Sequence, residues 1–260
     1  MKIGMMNHPE RPAVEQAKWA ADNGFDFLDL TVEGPGAAVD QIDADELRRV
    51  LDGAGMTAVG HTSWMLPFAT PFPQVRAAAV ESFCETLPLF RTVGVEWVNV
   101  HASKTPGKFS RRDSLAWQAE AFATLAVRAA EYGLRVMVEH PPQREIGPAE
   151  METLLAGDAR LGLHLDFGHL HVGTPDGLRL TREFVAHFAP RLAHAHLSDN
   201  KLKADDHLPL GAGNVKWRDC LQVVRDAGYD RTLTLEVFSP DPALLLHSVR
   251  QVREFLGEGG

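Results

Sequence analysis

The stretch VEWVNVHASKTPGKFSRRDSLAWQAEAFATLAVRAAEYGLRVMVEH, residues 95–140, contains one complete structural unit. Residues 95–101 form a short, β-rich apolar run that finishes on His101. A long amphipathic run near 112–132 then predicts a helix. Gly133 marks the turn out of it, and a second apolar run at 134–139 finishes on Glu139. Two strands separated by a helix of that length are parallel neighbours joined by a crossover. Both strands of the unit end on a titratable side chain.

The same alternation runs outward in both directions. Strands are predicted at 3–6, 27–32, 56–61, 95–101, 134–139, 161–166, 192–197 and 232–237. Helices are predicted near 11–23, 43–54, 73–93, 112–132, 148–156, 178–188, 216–227 and 241–256. Pro12 falls in the first turn of its helix, and Asp43 and Pro148 stand at the starts of theirs. Eight strand–helix units in strict alternation give an α/β fold, a single (β/α)8 barrel, with residues 1–260 as one domain. An open doubly wound sheet would place a Gly-rich phosphate fingerprint after the first strand, and the sequence has none there. No linker or charge block divides the chain, and the terminal GEGG is read as a frayed tail.

Composition narrows the chemistry. The net charge of −9 argues against a broad basic surface for nucleic acid. No apolar run approaches the roughly 20 residues that span a bilayer, and MKIGMMNHPE lacks the pattern of a signal peptide. The expectation is a cytoplasmic protein with no membrane association. The two cysteines, Cys84 and Cys220, sit in helical patterns and exclude both a disulfide framework and a thiolate zinc site. Any metal must be held by imidazole and carboxylate.

In a barrel of this kind the catalytic groups come from the C-terminal ends of the strands and the loops after them. Those positions carry His61, His101, Glu139, Asp166, His169, His196 and Glu236, and the loop after the seventh strand adds Asp205 and His207. So many donors around one mouth would leave poorly solvated, mutually repelling carboxylates unless cations neutralised them. Divalent metal is therefore expected; the mixed donor set suits Zn²⁺, Mn²⁺, Co²⁺ or Fe²⁺ and disfavours Ca²⁺ or Mg²⁺ alone, and Zn or Mn is the expected ion. One ion takes about four to six ligands, so nine donors accommodate one to three ions. Glu139 and Glu236 are the expected catalytic pair, as bridging ligands or as proton carriers. His164 and His194 lie two residues before a donor and are placed one layer deeper, as packed supports. His8 follows the first strand, His140 and His171 neighbour donor positions but point elsewhere, and His187 and His247 are peripheral.

The segments LDFGH at 165–169, HLSDNK at 196–201 and DDHLPLGAGN at 205–214 resemble the xylose isomerase-like TIM-barrel superfamily, which holds sugar isomerases and epimerases as well as endonuclease IV. The resemblance runs from MKIG in the first strand to LEVF in the eighth. The epimerase pattern falls on Glu139, Asp166, His196 and Glu236 around one ion, and implies a proton moved by the two glutamates at the carbon beside a sugar carbonyl. The endonuclease IV pattern keeps those four and adds His61, His101, His169, Asp205 and His207 around three zinc ions, which implies a phosphoester hydrolase acting on a sugar phosphate or on abasic DNA.

Because all nine positions are filled, hydrolysis at a multinuclear centre is the leading expectation and isomerisation or epimerisation the alternative. Against hydrolysis stands the loop TVEGPGAAVD after the second strand, which is short and acidic where a DNA-penetrating loop would be long and basic. Trp64 and Met65, just after His61, are read as a wall of the substrate pocket in preference to a DNA wedge. Lys104 and Lys203 are the expected substrate-binding cations, while Lys108, Arg111, Arg112 and Lys201 stand in the same loops. The resemblance also implies a homo-oligomer, although no segment marks an interface.

Overall fold

The computed structural model describes residues 1–142 and 146–257; Glu258–Gly260 of the terminal tail lie outside the described residues. Eight parallel strands close into a barrel in chain order. They are β1 (Lys2–Met6), β2 (Phe27–Val32), β3 (Thr57–Thr62), β4 (Trp97–His101), β5 (Arg135–Glu139), β6 (Gly162–Asp166), β7 (Leu192–Leu197) and β8 (Thr232–Leu235). β1 pairs with β8 as well as with β2, so no edge is left open. This is a single (β/α)8 TIM barrel.

The predicted helix over 73–93 is two helices, Pro73–Cys84 and Leu87–Val93. Pro88 explains the break, since it has no N–H for the helical ladder and its ring crowds the carbonyl of Cys84 four residues back. Elsewhere the punctuation reads as expected. Asp43 accepts a hydrogen bond from the Glu46 amide and caps Ala44–Ala54, and Gly147 and Pro148 open Pro148–Leu155. A short helix, Phe167–His171, follows β6 directly, in a stretch where the sequence predicts no element. No described helix is long and apolar enough to cross a membrane.

The barrel interior is built in layers. Phe27, Val59, Trp97, Met137 and Ala193 plug its lower end. Room for those rings comes from missing side chains. A Cβ on Gly4 would lie 2.4 Å from the Phe27 ring, and one on Gly162 would lie 2.6 Å from the Trp97 ring. Two residues further along the same strands the interior turns polar, with Asp29 after Phe27, His61 after Val59, Asn99 after Trp97 and Glu139 after Met137. The apolar plug thus forms the floor on which the polar cluster stands.

Candidate metal centre

The polar layer begins with Glu139 at the end of β5. Its Oε2 accepts a 2.7 Å hydrogen bond from Asn99 Nδ2 and lies 3.0 Å from His101 Nε2 and 3.3 Å from His164 Nδ1, while its Oε1 lies 3.4 Å from His169 Nδ1. Asp166 ends β6 and caps the short helix after it, accepting from the His169 amide at 2.7 Å. His196, on β7, has Nδ1 3.0 Å from Glu236 Oε2 and 3.8 Å from Asp166 Oδ2. Glu236 follows the last residue of β8, and its amide donates to the Leu197 carbonyl, which ties it to β7. Four donors from four consecutive strands therefore meet in one place, all of them buried.

Donor atoms of Glu139, Asp166 and His196 lie within 4.8 Å of one another, and the same holds for His61, His101 and Glu139. His61 and His101 face each other through their Nε2 atoms at 3.2 Å. His169, Asp205 and His207 meet on Asp205, whose Oδ2 is 3.0 Å from His169 Nε2 and 3.2 Å from His207 Nε2. His207 Nδ1 then comes within 3.6 Å of Glu236 Oε2. All nine predicted donors are thus brought to one mouth. The set fits a divalent ion on the protein's own terms, because Asp166 Oδ2, Asp205 Oδ1, His101 Nδ1 and His207 Nδ1 are buried with no hydrogen-bond partner among the described residues.

The charges in this cluster hold one another in place. Burial works to raise the pKa of Glu139, yet His164, His101 and His169 beside it hold it well below the usual carboxylate range. Burial likewise opposes ionisation of Glu236, and His196 and His207 outweigh it to lower its pKa. Asp166 behaves differently. Its burial, with Glu236, Asp205 and Glu139 nearby, lifts it to about 6 against the pull of His169. Burial disfavours the imidazolium of His196, but Glu236 and Asp29 raise its pKa well above the usual value. His207 is carried up to about 9 by Glu236 and Asp205 in spite of its burial. His169, His196 and His207 are thus favoured as imidazoliums, whereas burial shifts His101 and His164 toward the neutral ring; a divalent cation would take over the role of the displaced protons.

Above it opens a cavity of about 670 Å³, the size of a small-molecule site. His101, Glu139, His169, Asp205, His207 and Glu236 reach its wall. Trp64 and Met65 line it too and are largely exposed, and Lys104 lies on its rim with Pro106, Pro141 and Pro142. Lys203 does not belong to this wall. It is exposed in the bend after β7, so its predicted substrate contact is not part of the cavity as built. The loop after β2 is held down on the β1 loop, with the amides of Gly36 and Ala37 donating to the Pro9 carbonyl at 2.8 and 2.9 Å.

The supporting residues divide in two. His194 is buried and hydrogen-bonded beneath the site, its Nδ1 2.7 Å from Thr232 Oγ1. His140 Nε2 accepts from the Asp166 amide at 3.2 Å, and its carbonyl lies 2.9 Å from His169 Nδ1. Asp199, in HLSDNK, accepts from the amides of Asn200, Gly211, Gly213 and Val215 and so shapes the loop that carries His207. Asp29 and Asn99 are not among the donors that the strand-end rule predicts, because they stand inside β2 and β4. Their signal was available: a charged or amide side chain at an interior, inward-facing position of an otherwise apolar strand, as in FLDLTV and WVNVH.

Residues 17–256 match the family described as xylose isomerase-like TIM barrel, and the chain belongs to it. Among characterised relatives, the L-ribulose-5-phosphate 3-epimerase UlaE of Shigella flexneri is 21% identical over 252 residues, covering 88% of this chain and 84% of that protein. An uncharacterized protein of Methanocaldococcus jannaschii, MJ1311, is 28% identical over 176 residues; the match covers 63% of this chain and 58% of that protein. In three dimensions the chain superposes on a D-tagatose 3-epimerase-like protein with a TM-score of 0.88 at 20% identity, over 100% of this chain and 98% of the other. It also superposes on an IolI protein solved with a bound zinc atom, with a TM-score of 0.82 at 14% identity, over 100% and 99%. At such identities the structural likeness establishes the fold and leaves chemistry to the site.

Proposed function

We propose that this protein is a divalent-metal-dependent 3-epimerase of a ketose or ketose phosphate, with Glu139, Asp166, His196 and Glu236 holding the ion. The carrying observation is that Glu139 and Glu236 belong to one compact donor set and also both border the cavity, from strands three places apart in the barrel. A sugar in that cavity can be approached by a carboxylate from either side. Both are held in the ionised state by neighbouring imidazoles, so either is competent to take a proton from the carbon beside the carbonyl. The proton goes back to the opposite face of that carbon from the other carboxylate, which acquires it through the open mouth. An ion held by the four donors supplies Lewis-acid stabilisation of the negative charge that builds on the carbonyl oxygen. Trp64, Met65 and the rim prolines form an apolar wall that limits water around the sugar, and Lys104 is placed to meet a hydroxyl or phosphate.

This reverses the order expected from the donor count. The full set of nine favoured hydrolysis, but four donors suffice for an ion site, the relative UlaE is an L-ribulose-5-phosphate 3-epimerase, and one structural neighbour is a D-tagatose 3-epimerase-like protein. A net charge of −9 and a small cavity with a short loop after β2 also speak against a DNA duplex as substrate.

The test is solvent exchange. Protein loaded with Mn²⁺ is incubated in D2O with a panel of ketoses and their phosphates, and with a duplex carrying an abasic site. Deuterium at C3 together with the C3 epimer is the expected result. Strand cleavage or phosphate release with no exchange at C3 would overturn the proposal.

A further inference from the structure

Beneath the ion site lies a carboxylate that neither activity uses. Asp29, in the middle of β2, is fully buried and one layer below Thr31, which is the residue in register with His61. Its Oδ2 accepts from His196 Nε2 at 2.7 Å and from Thr234 Oγ1 at 2.7 Å, and lies 3.3 Å from His194 Nε2. Its Oδ1 stands 3.4 Å from His61 Nδ1. One side chain on β2 therefore reaches across the barrel interior to β7 and β8 and also touches its neighbour β3.

The orientation of the two rings gives these contacts a consequence. His196 turns Nδ1 toward Glu236 and Asp166, and His61 turns Nε2 toward His101. In both rings the nitrogen facing the donor cluster is the one opposite Asp29. An imidazole offers a lone pair to an ion only from its unprotonated nitrogen, so its proton must sit on the other one. Asp29 Oδ2 is the acceptor for that proton on His196, and Asp29 Oδ1 favours the equivalent state of His61 by charge. An apolar side chain at this position would avoid the cost of burying a carboxylate. The carboxylate just past β2, Glu33, accepts from Ser63 Oγ instead of joining the cluster; β2 contributes from below.

We infer that Asp29 is a positioning residue, which fixes the ring orientation and the proton-bearing nitrogen of His196, and secondarily of His61, so that both present a lone pair to the ion site. The inference rests on the proposed role of His196 in holding the ion. The second carboxylate on His196, Glu236, approaches the nitrogen that faces the ion, so it does not substitute for Asp29.

The experiment measures Mn²⁺ affinity and the visible spectrum of the Co²⁺-loaded protein for wild type, Asp29→Asn and Thr234→Val, with thermal melts of each protein stripped of metal. Asp29→Asn should bind Mn²⁺ about 10- to 100-fold more weakly and shift the Co²⁺ bands, while its metal-free melting temperature stays near that of wild type. Thr234→Val, which removes one donor to Asp29 and leaves the carboxylate, should give a smaller loss in the same direction. A metal-free melt that falls while affinity and spectrum stay unchanged would mean Asp29 serves the fold alone, and would overturn the inference. Should Asp29→Asn fail to fold, wild-type affinity and spectrum in Thr234→Val would overturn it as well. Wild type that binds no divalent ion would overturn the proposed ion site and this role with it, an outcome distinct from equal binding by wild type and variant.

Discussion

The four donors at the ends of β5 to β8 and the five that flank them are built differently. Glu139, Asp166, His196 and Glu236 are all buried, and three of them stand on adjacent strands within a few ångströms. The flanking donors are His61 and His101 on one side and His169, Asp205 and His207 on the other; His101, Asp205 and His207 are only partly buried. Their nitrogens and oxygens are largely engaged with one another, His61 with His101 and both His169 and His207 with Asp205. Unpartnered atoms occur in both groups, Asp166 Oδ2 among the inner four and Asp205 Oδ1, His101 Nδ1 and His207 Nδ1 among the flanking donors, so the contrast lies in burial and in closeness to one point. A count of nine donors does not by itself require several ions, and the proposed single ion uses only the inner four.

The largest test of that contrast is to neutralise one carboxylate in each group. Glu139→Gln and Glu236→Gln should each lower the C3 exchange rate by about 10³-fold or more, since each removes a proton carrier and an ion ligand together. An outer change such as His207→Ala should retain most of the exchange. Equal losses in both groups, read by deuterium incorporation in single-time-point NMR, would erase the distinction between them.

Proton linkage sharpens the comparison next. Without metal, His196 holds its proton well above the usual imidazole range, and Asp166 keeps one until about pH 6. Both must be lost for these groups to hold an ion, so affinity should rise with pH, by up to about tenfold per unit where one proton is displaced. The stability of the metal-free protein should run the other way. The pKa of His207 is raised from 6.5 to about 9 on folding, so its contribution is fully present below about pH 6.5 and is lost as pH climbs through about 9. Calorimetric titration in buffers of different ionisation enthalpy measures the first trend, and thermal melts the second. Affinity that is flat or falls between pH 6 and 8 would break the assignment of His196.

The outer donors are next in size. His207→Ala and His169→Ala should weaken binding of the first ion by no more than about tenfold, as expected for groups that orient ligands instead of holding the ion. Native mass spectrometry should find one tightly held ion per chain in wild type and in both variants. Three tightly held ions, reduced in number by either change, would restore the multinuclear reading and with it the case for hydrolysis.

The parts that sequence made visible are those with a periodic or terminal signature. Eight apolar runs alternating with amphipathic ones sufficed for the barrel, because strand and helix periods differ and the connections are short. The nine donors were visible because a barrel places its chemistry where strands end. Asp29 and Asn99 escaped because their role depends on which strand faces which across the interior, and that is set by the stagger of the closed barrel rather than by any local pattern. The single helix expected over 73–93 is divided for a simpler reason: Pro88 lies inside an otherwise unbroken amphipathic run and cannot continue the helical ladder. Lys203 looked equivalent to Lys104 on charge alone, and only the course of the loop after β7 sets it apart from the cavity.

The smallest effect concerns the wall opposite the charged floor. Trp64 borders the cavity yet is 68% exposed, so most of its ring is available to a ligand. If it forms an apolar wall for a sugar, Trp64→Ala removes uniform binding, and KM should rise by about five- to tenfold, the equivalent of roughly 1 kcal/mol of lost apolar contact. The turnover number should change by less than about twofold, because a wall that binds ground state and transition state alike alters KM and not turnover. A wedge for nucleic acid would respond differently, losing affinity for an abasic duplex and leaving the ketose KM where it was. The two outcomes are opposite in both assays, so one variant measured against both substrates decides which ligand the exposed ring serves.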